Sequence, residues 1–296
     1  MKLATFEHEG ARRVGRVDTA AGTVAPFELA AAEAAAGLQH LIELDARGEA
    51  LPSAGEPIPL DAVRLEAPLP RPRRNLFCVG KNYHDHAHEF AGSGFDSSAD
   101  KGAVPEHPIV FSKVPESVIG PGEAIEYDPA VSEAIDYEVE LAVIIGRGGR
   151  GITAERALEH VWGYTIVNDV TARDLQGRYS QWLIGKSQDT FCPMGPWAVT
   201  RDELDLADTT IRAWVGDELR QDSNTGLLIF DVPTIIETIA AGVTLLPGDV
   251  IATGTPAGVG IGVDPPRYLA DGDRLRLEIG GIGTLENTLR RVARAP

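Results

Sequence analysis

The 296-residue chain has room for one large domain, or one with a small accessory module, and its 43% hydrophobic content is ample for a buried core. A formal net charge of −17 disfavours nucleic acid and anionic membranes as partners, because both are bound through basic stripes. No apolar run reaches the roughly 18 residues that span a bilayer, and the polar start Met1 to Glu9 is unlike a signal peptide, so a cytoplasmic location is expected.

Residues 1 to about 27 alternate and turn at Glu9-Gly10 and Ala21-Gly22, the pattern of a short hairpin. Glu28 to Arg47 is rich in Ala and Leu at helical spacing, interrupted near Gly37. From Leu51 to Arg74, Pro52, Pro57, Pro59, Pro68, Pro70 and Pro72 prevent long helices and central strands, which reads as a linker. Residues 1–70 therefore form a small leading module and linker, and 71–296 the main domain. Beyond Asn75, apolar runs at 75–79, 108–111, 137–145, 161–167, 249–253 and 273–279 are short and bounded by Gly, Pro or Asp, as strands are. Helices are predicted after Thr153 and from Asp231 to Ala241, where Asp caps, Pro233 occupies the first turn and Gly242 stops the run. The fold class is α+β with a β-rich core. Cys78 and Cys192 have no zinc-type spacing and read as buried thiols.

The segment Asp136-Tyr137-Glu138-Val139-Glu140-Leu141 carries the sharpest chemistry. Residues i and i+2 of a strand share a face, so Glu138 and Glu140 aim two carboxylates at one place. Their mutual repulsion is relieved by a divalent cation with oxygen ligands, and Asp169, at the end of the next apolar run, can supply a third. Taken alone, the Glu-x-Glu pair is equally compatible with a solvated acidic face. His86 and Glu89 are three residues apart, hence neighbours on a helical turn, and such a pair can deprotonate a shared water. Three histidines in five residues are also compatible with zinc ligands or plain surface polarity. Phe90 to Val104 is a long polar stretch of the kind that closes over a site. Lys186 can stabilise an oxyanion or enolate as a point charge, although a single lysine is more often solvated. The glycine-rich turn at 254–260 lacks the Gly-Lys-Thr core of a nucleotide-binding loop.

Together these segments resemble the fumarylacetoacetate hydrolase family. The matches are Gly-Lys-Asn-Tyr-x-x-His-x-x-Glu (80–89), Asp-Tyr-Glu-Val-Glu-Leu (136–141), Gly-Tyr-Thr-x-x-Asn-Asp-Val-Thr-Ala-Arg-Asp-Leu-Gln (163–176), Gly-Lys-Ser to Gly-Pro-Trp (185–197) and Gly-Asp-Val-Ile-x-Thr-Gly-Thr-Pro-x-Gly-Val-Gly (248–260). The resemblance implies a mixed β-roll catalytic domain, a homodimer, and Mg²⁺ or Mn²⁺ at the site. It implies Glu138, Glu140 and Asp169 as metal ligands and His86 with Glu89 as the pair that activates water. Arg173, Gln176 and Lys186 match residues that contact an oxalate- or pyruvate-like head group, and Thr255 matches a threonine that meets the substrate carboxylate. Where true fumarylacetoacetases carry a further acidic ligand, this chain has Phe77-Cys78-Val79, which resembles the smaller branch acting on acylpyruvates, oxaloacetate and related diacids.

The expected activity is metal-dependent C–C hydrolysis of a 2,4-dioxo acid, a small anionic substrate. Decarboxylation of oxaloacetate, isomerisation of an unsaturated hydroxy-dioate, and metal-diacid binding without turnover are the alternatives.

Overall fold

The computed structural model of the chain describes residues 1–92 and 104–293. Strands β1 (Lys2–His8), β2 (Ala11–Asp18) and β3 (Thr23–Pro26) form a meander that turns where the sequence predicts. Helices α1 (Ala31–Ala34) and α2 (Gln39–Ala46) flank Gly37, and the proline-rich stretch contributes two short strands, β4 (Ile58–Pro59) and β5 (Arg64–Glu66). There follow β6 (Leu76–Gly80), α3 (His84–Gly92), β7 (Ile109–Lys113), β8 (Val118–Ile119), β9 (Ala124–Tyr127), β10 (Ile135–Asp136) and β11 (Val139–Ile145). A single turn, α4 (Ala154–Ala157), leads to β12 (Val161–Asn168), β13 (Thr171–Ala172), α5 (Arg173–Arg178) and α6 (Leu183–Lys186). The chain ends with β14 (Cys192–Thr200), β15 (Thr210–Val215), β16 (Glu218–Asn224), α7 (Val232–Ala240), β17 (Val250–Ala252), β18 (Arg274–Ile279) and β19 (Gly283–Arg291).

Twelve strands share one mixed sheet with the path β4-β3-β2-β1-β14-β12-β11-β17-β6-β7, with β5 beside β1 and β8 beside β14. A second sheet runs β16-β15-β18-β19-β9, and β10 pairs with β13. The architecture is thus mixed α/β with large sheets. Because β1 pairs with β14 at Lys2↔Val199 and Leu3↔Ala198, the N-terminal strands continue the sheet that carries β11 and β12.

Every residue of β11 and β12 is buried, so the solvated acidic face left open by the sequence is absent. Near-continuous burial is what a central strand covered on both faces requires. Val139, Leu141, Val143 and Ile145 belong to the same buried cluster as Ile235, Ile236 and Ile239 of α7, whereas Ala142 and Ile144 belong to a second cluster with Leu38, Leu41 and Ile42. The α7 N-terminus is capped as its sequence predicts, Asp231 Oδ1 accepting the Thr234 N–H at 2.9 Å. One boundary differs from expectation: β11 begins at Val139, leaving Glu138 ahead of the strand. The reason is local, since the Glu138 N–H donates to the Asn168 side chain (3.0 Å) instead of to a strand neighbour.

Candidate metal centre and active site

The pairing of β11 with β12 sets the acids together. Val139 lies opposite Asn168, and the Asp169 N–H donates to the Glu138 carbonyl at 2.9 Å, which fixes the start of one strand against the end of the other. One carboxylate oxygen from each of Glu138, Glu140 and Asp169 lies within 4.8 Å of the other two, and all three residues are buried.

Glu138 and Asp169 are wrapped in cations. The two oxygens of Glu138 meet the Arg173 guanidinium and Lys186 Nζ, each at 2.7 Å. Lys186 Nζ also reaches Asp169 Oδ2 at 2.6 Å, while Lys113 Nζ donates to Oδ1 at 2.7 Å and to the carbonyls of Val170 and Lys186. Arg173 is held in turn by Asp136, which accepts from Nε at 2.8 Å, and by Gln176, which accepts from Nη1 at 3.0 Å. Burial alone would raise the Glu138 carboxyl, but Lys186 and Arg173 overcome it and hold the group down at about 2. Lys186 itself, depressed by burial, is lifted above its ordinary value by Asp169 and Glu138.

Glu140 is treated differently. Its Oε2 accepts the Gly254 N–H at 2.8 Å, and among the described residues no cation forms an ion pair with it. Burial, with Asp169 and Glu138 close by, pushes its carboxyl well above the usual range. In this cluster Asp136, Glu138 and Asp169 are ion-paired with Lys113, Arg173 and Lys186, which leaves Glu140 as the buried carboxyl with no ion-pair partner among the described residues. That unpaired carboxyl, in a donor set made only of carboxylate oxygens, fits a hard divalent cation held by Glu138, Glu140 and Asp169.

Two glycines make this approach possible. Gly254 has φ +100, and a Cβ there would fall 2.7 Å from Asn82 Cβ, so the N–H that serves Glu140 depends on glycine. At Gly185, just before Lys186, a Cβ would sit 2.7 Å from the Gln176 backbone nitrogen and would push α6 off α5.

The second part of the site is on α3. His86 Nδ1 lies 3.1 Å from Glu89 Oε2, and Glu89 Oε1 accepts the Gly258 N–H at 3.0 Å. The turn that offers Gly258 is tied down by Asp136, which accepts the N–H groups of Gly260 (2.7 Å) and Ile261 (3.2 Å). One buried aspartate therefore braces both Arg173 and the support of Glu89.

His86, Glu138, Glu140, Arg173, Gln176, Lys186 and Thr255 line one narrow cleft, so nearly all the residues singled out from the sequence converge. Asp169 stands behind Lys186, and Glu89 behind His86. Thr255 lines the cleft with its hydroxyl already occupied, donating to the Val139 carbonyl (2.9 Å) and accepting from Gln221 (2.8 Å). Of the stretch 90–104, Phe90 to Gly92 belong to α3, and the closing segment expected at 93–103 lies outside the described residues. Sequence reasoning missed Lys113, whose signal was a lone charge two residues past the apolar run Ile109 to Phe111. It also gave no role to Asp136 or Lys81, although both lie inside matched motifs. Cys78 and Cys192 are buried free thiols, both raised by burial, Cys192 to about 12. No helix among the described residues is long and apolar enough to cross a membrane.

Comparison with known proteins gives a consistent result. The family described as "Fumarylacetoacetate (FAA) hydrolase C-terminal" matches residues 75–290. The chain is 48% identical over 231 residues to oxaloacetate tautomerase YisK of Bacillus subtilis (strain 168), covering 78% of this chain and 74% of that protein. It is 43% identical over 233 residues to the mitochondrial oxaloacetate tautomerase FAHD2B of Bos taurus, covering 78% and 70% respectively. Among solved structures, a fumarylacetoacetate hydrolase from psychrophilic Exiguobacterium antarcticum superposes with a TM-score of 0.84 at 43% identity, over 99% of this chain and 100% of that one.

Proposed function

The chain belongs to the fumarylacetoacetate hydrolase family, and from that footing we propose that it is a divalent-metal-dependent enzyme interconverting the keto and enol forms of an oxaloacetate-type 2-oxo acid. The observation that carries this reading is the joining, in one cleft, of a buried cluster of three carboxylates, one of them without an ion-pair partner among the described residues, and a separate His-carboxylate pair able to move a proton. The names of the relatives from Bacillus subtilis and Bos taurus support the same choice.

Bound by Glu138, Glu140 and Asp169, Mg²⁺ or Mn²⁺ would supply Lewis-acid stabilisation of an enolate oxygen, worth several kcal/mol. The protein's own residues do the rest. With Glu89 accepting the Nδ1 proton, the other ring nitrogen of His86 is left as the base for a proton on the carbon next to the oxo group. Lys186 spends two of its three N–H groups on Glu138 and Asp169 and keeps a third for the oxygen on which negative charge develops. Arg173 and Gln176, braced by Asp136, orient the carboxylate head. Burial excludes bulk water, so each of these charges acts at high strength.

A second reading, C–C hydrolysis of an acylpyruvate, is favoured by the same His86–Glu89 pair, which can equally take a proton from water, and by the name of the Exiguobacterium antarcticum structure. The deciding experiment uses metal-stripped protein with and without added Mn²⁺. Metal-dependent deuterium exchange at C3 of oxaloacetate without loss of carbon supports the tautomerase. Pyruvate release from acetylpyruvate supports the hydrolase instead, and absence of metal-dependent chemistry with either substrate defeats both.

A further inference from the structure

We propose that Gly262 is a positioning residue for the pair read above as the base: because it has no side chain, the Glu89 carboxylate can lie where one would be and is held there against His86. The proposal rests on the reading of His86 and Glu89 as the groups that move a proton.

Gly262 closes the single 3₁₀ turn Gly260–Gly262. A Cβ there would fall 1.7 Å from Glu89 Oε1, 2.1 Å from Cδ and 2.4 Å from Cγ, and these are the three atoms nearest to it. The backbone gives no separate reason for glycine: Gly254 and Gly258 have φ +100 and +105, whereas Gly262 lies outside the left-handed region. At Gly258 a Cβ would meet the Arg220 carbonyl oxygen at 1.9 Å, so glycine there serves the path of the chain. Glycine at 262 serves one side chain, that of Glu89, which arrives from α3.

What holds each partner decides which of them would yield to a side chain. The turn is tied from several directions: Tyr137 Oη donates to the Gly258 carbonyl at 2.7 Å, Asp136 accepts the Gly260 and Ile261 N–H groups, and the Gly262 N–H donates to the Val259 carbonyl at 3.0 Å. Val259 and Ile261 are also buried, in one cluster with Phe90 and Trp182. The Glu89 side chain turns about three single bonds, and its carboxylate is held by the Gly258 N–H at 3.0 Å and by His86 at 3.1 Å. Moving the turn would break more hydrogen bonds than rotating the glutamate, so the glutamate yields. A methyl group needs about 3.5 Å to its nearest heavy atom, so the carboxylate must retreat by roughly 1.5 Å or more. That is beyond the tolerance of its present hydrogen bonds. His86 then loses the acceptor that fixes its proton on Nδ1 and leaves the other ring nitrogen free as a base.

The test is Gly262→Ala, alone and combined with Glu89→Ala. The first readout needs no turnover: ring ¹⁵N shifts of His86 in metal-free, histidine-labelled protein, at a pH where the imidazole is neutral. The parent should show one tautomer, with Nδ1 protonated and Nε2 bare, and Gly262→Ala and Glu89→Ala should each show a mixture. In Mn²⁺-loaded protein, kcat for deuterium exchange into C3 of oxaloacetate should fall about 10- to 100-fold in Gly262→Ala, with KM and Mn²⁺ affinity close to the parent. In the Glu89→Ala background the same substitution should cost nothing further, since the carboxylate it displaces is already gone. A single tautomer surviving in Gly262→Ala, a mixture already in the parent, an unchanged kcat, or a further loss in the double variant overturns the proposal. So does loss of fold or of Mn²⁺ binding in Gly262→Ala, because glycine would then serve the backbone or the metal half. The predicted tautomer pattern in a parent that turns over neither oxaloacetate nor acetylpyruvate would keep Gly262 as the seat of Glu89 and remove the reading of the pair as a base.

Discussion

The two halves of the site are built on different principles. The acids Glu138, Glu140 and Asp169 come from the facing ends of β11 and β12, inside a sheet with strands on both sides, and every oxygen of Glu138 and Asp169 is held by a buried cation. His86 and Glu89 are carried by a nine-residue helix whose ties are the Gly258 N–H and a small cluster of Phe90, Trp182, Val259 and Ile261. The geometry that would hold a cation is thus set by strand register. The pair proposed to move protons sits on a helix outside the sheet, and Asp136 is the shared brace.

The contrast is broken most severely at Glu138. Glu138→Gln should remove tight Mn²⁺ binding in calorimetry and lower turnover by roughly 10³-fold or more. It should also destabilise the fold by about 3–5 kcal/mol, because Arg173 and Lys186 lose their buried partner. Glu140→Gln should likewise abolish metal binding but raise the melting temperature of the metal-stripped protein, since it removes a buried carboxyl that burial and the neighbouring acids destabilise and that has no ion-pair partner among the described residues. Stability changes of the same sign in both variants would show that the two acids are not distinguished as described.

The half proposed to move protons should fail alone. Glu89→Gln is expected to cost roughly 10²- to 10⁴-fold in turnover with Mn²⁺ affinity retained. Joint loss of both would place Glu89 in the metal half. Asp136→Asn should be intermediate, because an amide cannot accept from Arg173 and from the Gly260 and Ile261 N–H groups at once. A loss of about 1.5–3 kcal/mol of stability is expected, with kcat falling more than KM rises. Unchanged kcat would remove Asp136 from the role of brace.

The smallest effect is in pH. Glu138 is held at about 2, so the stability it contributes is complete above the ordinary carboxylate range and is lost as pH falls through about 2. Glu140 is shifted the other way: its stabilising proton is fully present below the ordinary carboxylate range and is lost as pH rises through the elevated value. A cation must displace that proton. Mn²⁺ affinity should therefore climb with pH over this window, by at most about tenfold per unit, with proton release visible in calorimetry across buffers. A flat profile would mean that Glu140 is already ionised.

Much of this site was legible because its acids lie in short, repeated local patterns. Glu138 and Glu140 are two apart, His86 and Glu89 three apart, and Asp169 ends an apolar run. The outer elements were also readable, since Asp231, Pro233 and Gly242 mark a helix whatever surrounds it. What escaped depends on distant pairing. Lys113 meets Asp169 across 56 residues, and Asp136 meets Gly260 across 124, separations at which no periodicity speaks. The solvated face left open for Glu138 and Glu140 was excluded by the coverage of β11 on both sides, which a single strand's sequence does not encode.

The seam between β1 and β14 bears on how this protein can be cut. The family match begins at residue 75, which invites expression of that part alone. Yet Leu3, Leu38, Leu41 and Ile42 share one core cluster with Leu76, Cys78, Ala142 and Ile144, and β1 covers an edge of β14. A fragment starting at residue 75 would present an open strand edge beside a bared apolar floor, the combination that recruits other chains. Such a fragment should be recovered as aggregate, and supplying residues 1–74 as a separate polypeptide should restore a soluble particle.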